Sequence, residues 1–371
     1  MSNYRNDFLA PTGTYMLSHS VGLPPIDSQQ ATSEGFYLPW ATADENIWPQ
    51  WLQGIDGFRE ALATLLNSDM SHFCPQTNLS SALTKILGAL PRNPEKRTLL
   101  VSEQDFPSIA FVCQQMAGDY FNVKYIRASE DLTATQTWER YLSDDVFCSI
   151  VTHVQSNTGV QVPVAEITAL TRKKSIYSIV DIAQSAGVIP IDLSHWSADF
   201  VIGSCVKWLC GGPGAGYLWA STEMQAACAP VDVGWFSHAD PFEFDIHQFR
   251  YADDALRFWG GTPSVSAFIT AAHSINKIQS IGVDNIRAHN LALIEIILRG
   301  IDSDRVISPS NANQCGGTLI VNFGDRQAEL LEVMRSRAIL FDNREFGMRI
   351  SPHIYNTVEE CEEISHIFLP T

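Results

Sequence analysis

Residues 176–220 read IYSIVDIAQSAGVIPIDLSHWSADFVIGSCVKWLCGGPGAGYLWA. Two β-branched, apolar runs lie in this stretch. One ends at Asp181 and the other near Ser204, with Lys207 following at once and a glycine loop, Gly211-Gly212-Pro213-Gly214, after it. The 26 residues from Asp181 to Lys207 are enough for a crossover between two strands of one sheet. An acid and a lysine therefore stand just past the carboxyl ends of two strands, where an open α/β sheet forms its ligand crevice.

Each residue alone has an ordinary explanation. A lysine at a strand end usually lays its stem on apolar surface. An aspartate there often caps the next helix. Together they make a more specific set. A lysine in a walled, partly dry crevice gives up its proton readily and becomes a nucleophile toward carbonyls. A buried carboxylate can keep a ring nitrogen protonated. Those are the two groups that pyridoxal 5′-phosphate requires, a Schiff-base lysine and an acidic partner for its pyridinium.

The elements on either side extend the pattern. Apolar residues at 58, 62, 65 and 66 predict a helix from Asp56 to Leu66. Cys74-Pro75-Gln76-Thr77-Asn78-Leu79-Ser80-Ser81 then leads into an apolar-periodic run, which marks a helix N-terminus suited to phosphate. Strands are predicted at 97–102, 122–127 and 146–152, and helices at 106–117 and 163–174. Phe106-Pro107-Ser108 and the polar run His153–Gly159 sit at further strand ends. The β-α-β-α alternation predicts a mostly parallel sheet covered by helices on both faces.

Residues 1–55 read as an irregular N-terminal arm, 56–264 as a large domain and 265–371 as a small α+β domain. Within the arm, Tyr15–Gly22 reads as a strand end leading into an active-site loop, or as an ordinary turn. Between residues 234 and 263 runs an irregular insert dense in aromatics and acids, either a site or an interface. Near the C-terminus Arg349 interrupts an apolar strand, a place for a guanidinium that binds a carboxylate or forms a rim ion pair.

Charge and composition exclude several classes. A net charge of −17 argues against nucleic acid and anionic membranes as partners. No apolar run reaches membrane-spanning length. The eight cysteines show no zinc spacing and no C-x-x-C pair, so free buried thiols in a reducing cytoplasm are expected. No G-x-G-x-x-G opens a helix after an early strand, which disfavours a nicotinamide-dependent dehydrogenase.

Several of these pieces, taken in order, resemble the class V branch of the fold-type-I pyridoxal-phosphate enzymes. They are SNTG at 156–159, DIAQSAG at 181–187, S-x-x-K at 204–207, GGTP at 260–263 and RISPHIYNT at 349–357. FPS at 106–108, GGPG at 211–214 and GWFSH at 234–238 look specifically like kynureninase. The resemblance implies a large domain with a seven-stranded type of sheet, a small α+β domain, and a homodimer with sites at the interface. It implies that Lys207 holds the cofactor covalently and shuttles protons, that Asp181 pairs with the pyridine nitrogen, and that Phe106 stacks on the ring. Gln76, Thr77 and Ser204 would hold the phosphate, and Asn157 and Gln184 would lie near the phenolic oxygen. Thr262 and Trp235 would reach the neighbouring subunit's site, and Arg349 would take the substrate carboxylate.

The activity implied is hydrolytic Cβ–Cγ cleavage of a kynurenine-like amino acid to an anthranilate and alanine. Where kynureninases usually carry Tyr, His and Asp, this chain has Val206, Gln184 and Ile109. The alternatives are a class V C–S lyase or aminotransferase, or a silent relative that keeps the fold. No cysteine lies in 331–349, before the arginine, where a desulfurase would need one.

Overall fold

The structure is a computed structural model that describes residues 4–369. A short strand of the N-terminal arm, β1 (Thr14–Tyr15), precedes a seven-stranded sheet. The sheet contains β2 (Phe73–Gln76), β3 (Thr98–Ser102), β4 (Asn122–Ile126), β5 (Val146–Thr152), β6 (Tyr177–Asp181), β7 (Phe200–Ser204) and β8 (Gly216–Ala220). Their spatial order is β2-β8-β7-β6-β5-β3-β4, and only β8 runs against its neighbours. Every residue of β3, β5 and β8 is buried, as expected for strands covered on both faces. The expected fold class and the expected strands are present, most ends within a residue.

The parallel register places the carboxyl ends of β3, β5, β6 and β7 along one edge. Thr152 is the register partner of Asp181, and Asp181 of Ile202. Helices then start or pass at that edge. Leu79–Ala89 begins at Asn78, whose Oδ1 accepts from Ser81 N–H at 2.9 Å. Pro107–Ala117 starts on a proline, whose missing N–H costs a first turn nothing.

One expectation about organisation is corrected. The arm is not irregular throughout: it holds helical turns at Ser28–Thr32, 33–37 and Leu38–Ala41. The next helix begins at Trp48, inside the arm, and runs to Leu65. It packs against Val265–Ile281, with Phe58 and Phe268 ring centres 5.1 Å apart. Both rings are buried, and each such burial contributes roughly 2–3 kcal/mol. Val265–Ile281 therefore contributes Val265, Phe268, Ile269, Ala271 and Ile275 to the core of the large sheet, and Ile278 and Ile281 to a third core shared with Trp208, Ile286 and Tyr355. A helix with apolar residues on much of its surface can face either lobe, and its sequence does not say which.

The smaller core is built on β9 (Leu319–Val321), β10 (Ile339–Leu340), β11 (Asp342–Arg344) and β12 (Gly347–Ile350). Three of these form an antiparallel sheet in the order β11-β12-β9, while β10 pairs in parallel with β1. Helices Val283–Leu298, Gln327–Ser336 and Val358–Phe368 cover it, and Met16 of the arm is buried with them. The arm thus runs from the small lobe back to the large sheet, where Gly22 N–H donates to Val206 O at 2.8 Å. Gly22 is needed there, because a Cβ would lie 2.0 Å from Lys207 O. Among the described residues, no helix is long and apolar enough to cross a membrane.

Candidate active site

The shared strand edge opens into a cleft of about 210 Å³. Phe106, Thr152, Asp181, Ser204 and Lys207 line it, together with Asn78, Leu79, Ser80 and Gln184. Asp181 and Lys207, the pair read from the sequence, lie on its wall together. A larger cavity of about 550 Å³ between the lobes, around His153 and Trp196, holds no lysine and is set aside for that reason.

Burial sets the electrostatics of the pair. It pushes the Asp181 carboxyl above its ordinary range, against the pull of Ala183 N–H (2.8 Å to Oδ1) and of Lys207. It also pushes the Lys207 ammonium down, with Asp181 holding it up and Arg349 and Arg344 adding to the depression. A depressed lysine is a ready nucleophile, and a buried carboxylate is relieved by a cation brought beside it. Lys207 Nζ lies 5.8 Å from the centre of the Phe106 ring, which is partly open to the cleft.

The cleft also carries unused polar capacity. Ser156 Oγ on its wall and Asn157 Oδ1 in the adjoining turn are buried without a hydrogen-bond partner among the described residues, whereas Thr152 is engaged by Asp105. Buried polar atoms rarely stay unpaired, so these await a polar ligand. The first turn of Leu79–Ala89 offers free backbone N–H groups to an anion. A flat, cationic, phosphorylated heterocycle fits this set: an amine, an acid, an aromatic face and an anion cradle.

The remaining expected residues divide. Gln184 is buried at the cleft, where Nε2 donates to His19 O (3.1 Å) and Oε1 accepts from Trp208 Nε1 (3.2 Å). That tie joins the Tyr15–Gly22 segment to Gln184. The Gln76 side chain is buried against Phe258 O (3.1 Å) and Cys74 Sγ (3.2 Å) and is not among the residues that line the cleft. Thr77 is exposed, beside Ser81 and Asn78. Asn78, Leu79, Ser80 and Ser204 do line the cleft. The signal for this was present, since an Asn cap before an apolar run marks the turn itself.

Thr262 is exposed on its glycine turn, and Trp235 packs with Trp48, Phe236 and Phe242; neither lines the cleft of its own chain. Arg349 is 2% exposed, and its Nη1 donates to Ser156 O at 3.0 Å, directly behind the cleft wall. Asp105 and Asp342 are further charged neighbours that no sequence signal marked, and His19 lies within the Tyr15–Gly22 segment. Asp105 is buried one residue before Phe106 and accepts from Ser102 N–H (2.8 Å) and Gln155 Nε2 (3.2 Å).

Comparison with known proteins agrees with this chemistry. The family model described as aminotransferase class-V matches residues 49–364. The chain belongs to the class-V aminotransferase family. It is a pyridoxal-phosphate-dependent enzyme of fold type I. Within the family it is similar to an uncharacterized aminotransferase of Bacillus subtilis, 25% identical over 84% of this chain and 82% of that protein. It is similar also to a kynureninase of Deinococcus radiodurans, 30% identical over 77% of this chain and 70% of that protein. In fold it matches the cystine C–S lyase C-DES, whose structure carries glycine covalently linked to its PLP cofactor. That match has a TM-score of 0.87 at 20% identity and covers 99% of both chains.

Proposed function

We propose that the chain cleaves the side chain of an α-amino acid of the kynurenine type, releasing alanine and an anthranilate by hydrolysis of the Cβ–Cγ bond. The observation that carries the reading is the convergence of Lys207, Asp181 and Phe106 on one cleft that no thiol lines. All eight cysteines are buried elsewhere, so a desulfurase reaction through a cysteine nucleophile lacks its nucleophile. Apolar walls at Phe106, Ile109, Val154 and Val206 suit an aryl ketone.

When bound, pyridoxal phosphate supplies an electron sink for charge developing on the amino acid's α-carbon. The chain's residues do the rest. Asn78–Ser80 and Ser204 take the phosphate, Phe106 covers the ring face, and Asp181 faces the ring nitrogen. Lys207, kept from holding its proton tightly by burial, removes and returns protons at the substrate's α-carbon. Arg349 takes the substrate carboxylate. Thr262 and Trp235 act across a homodimer interface, completing the partner's site, and the exposed Phe244 and Ile246 of the insert belong to that interface.

A second reading, β-elimination or transamination, is favoured by Gln184 and Ile109, which stand where kynureninases usually carry His and Asp. The test is to incubate the purified holoenzyme with kynurenine, 3-hydroxykynurenine and cystine in turn and identify products. Anthranilate or its 3-hydroxy form, with alanine, is the expected result. Pyruvate and ammonia from cystine, with kynurenine untouched, would replace it by the lyase.

A further inference from the structure

Arg349 does not stand alone behind the cleft. Its Nε (3.1 Å) and its Nη2 both donate to Asp342 Oδ2, and Nη1 donates to Ser156 O. Asp342 and Arg349 are register partners across the β11–β12 hairpin, so the ion pair is set by strand pairing and not by a chance rotamer. The same carboxylate oxygen receives Arg344 Nε at 3.1 Å and has His19 Nε2 at 3.6 Å. His19 is in turn fixed through Nδ1 to Ser351 Oγ (2.6 Å), and its carbonyl is held by Gln184.

A guanidinium has five N–H groups in a rigid plane. Three are used here, one on each nitrogen. Two remain, one on Nη1 and one on Nη2, the two nitrogens whose terminal edge can receive a carboxylate in two parallel bonds. Asp342 takes the side edge and Ser156 O takes one proton of Nη1, so the guanidinium plane is held from two directions. Without Asp342 the guanidinium would also be buried with no counter-charge, a costly state that the side chain would leave by turning toward solvent.

We infer that Asp342 is the positioning residue of this site: it clamps the side edge of Arg349 so that the terminal fork is presented, preformed, to the substrate's α-carboxylate. The inference rests on the reading above that Arg349 receives that carboxylate. Asp342 touches neither substrate nor cofactor. Its effect is confined to the part of binding that depends on the carboxylate.

That confinement gives the experiment. L-alanine and ethylamine differ by the carboxylate alone, and both are titrated into holoenzyme by calorimetry. The ratio of their affinities measures the carboxylate's contribution. In Asp342→Asn this ratio should fall on the order of 10- to 100-fold, as expected when a binding group is misplaced by about an ångström, while ethylamine binding is unchanged. Asp342→Glu should recover part of the ratio. Arg349→Ala should abolish it. If Arg349→Ala leaves the ratio intact, or wild type binds no alanine, the reading of Arg349 fails. If Arg349→Ala abolishes the ratio but Asp342→Asn leaves it as in wild type, the positioning role fails. A rise of the ratio in Asp342→Asn would show that Asp342 competes for Arg349, which also overturns it. Unfolding midpoints of all variants separate a misfolded protein from a mispositioned fork.

Discussion

Lys207 Nζ and the Phe106 ring oppose each other across the cleft, 5.8 Å from amine to ring centre. One comes from the turn after β7 and the other from the turn after β3, so the sheet itself sets their distance. Lys207→Ala should leave the fold intact, remove the visible absorption of the covalently held cofactor and reduce turnover by at least about 10²-fold, the share of one positioned proton carrier. Added pyridoxal phosphate should not restore it. Absorption spectra and turnover of the parent and variant, measured side by side, check this.

Asp181 should show a trade between stability and activity. Burial raises its folded-state pKa, so the folded protein prefers it neutral and bears the burden of its charge at neutral pH. In apoprotein, Asp181→Asn should therefore be at least as stable as the parent in urea at pH 7. In holoenzyme the same change removes the counter-charge of the ring nitrogen, and turnover should collapse. A variant that is both less stable as apoprotein and fully active would contradict both halves.

Asp105 gives a pH dependence with a definite sign. Burial raises its carboxyl from 3.8 to about 6. Between those values the folded state keeps a proton that the unfolded chain has released. Stability from this group is thus full below pH 4, falls as pH rises to 6, and stays low above. The difference corresponds to about 3 kcal/mol at most. Asp105→Asn cannot ionise, so its stability relative to the parent should rise by up to that amount between pH 4 and pH 7. Buried His19 and His153, lowered to about 4 and about 3, work in the opposite direction in both proteins and cancel in the difference. Urea unfolding of both proteins across this range measures it; a flat difference would sink the assignment.

The strands and the Asp181–Lys207 pair were legible because each strand is a short β-branched run with polar or glycine punctuation, and parallel strands put their chemistry at one end. Gln76 turns away from the cleft for a physical reason. It closes β2 with its side chain on the face that packs under Phe258, and one residue of register decides which face a strand-end side chain takes. Asp105 and Asp342 left no signal, since an isolated acid gains its role only from partners brought in by the fold. Asp342 meets Arg349 seven residues on, through a hairpin, and His19 over three hundred residues away.

Gly187, which closes the DIAQSAG run, sits at φ +98°, and a Cβ there would lie 2.7 Å from Trp208 O. The backbone that carries Lys207 packs directly on it. Gly187→Ala should cost on the order of 1–3 kcal/mol through backbone strain alone, with the clash adding to it. The damage should also reach the site, because relief of the clash moves the Trp208 peptide next to Lys207. Denaturant midpoints should fall, and the cofactor's visible absorption should weaken in the protein that remains folded. Gly57→Ala, with open space around its Cβ in helix Trp48–Leu65, is the control and should be neutral or stabilising.

The exposed turn at Gly260–Thr262 offers a decisive test of sites shared between subunits. Thr262 lies outside its own chain's cleft, so its proposed role at the phosphate requires a second chain. Lys207→Ala and Thr262→Arg should each be inactive alone, for different reasons. In a mixed dimer, one of the two sites takes Lys207 from the Thr262 variant and Thr262 from the Lys207 variant, and is wild type in every residue. Random pairing makes half the dimers mixed, each with one sound site, so co-expression should recover roughly a quarter of parental turnover in a twofold assembly. If Thr262 instead served its own chain, each site of the mixed dimer would carry one of the two defects, and no site would be whole. Recovery therefore requires that the turn act in trans, and its absence, with mixed dimers verified by differently tagged chains, would remove Thr262 from the site.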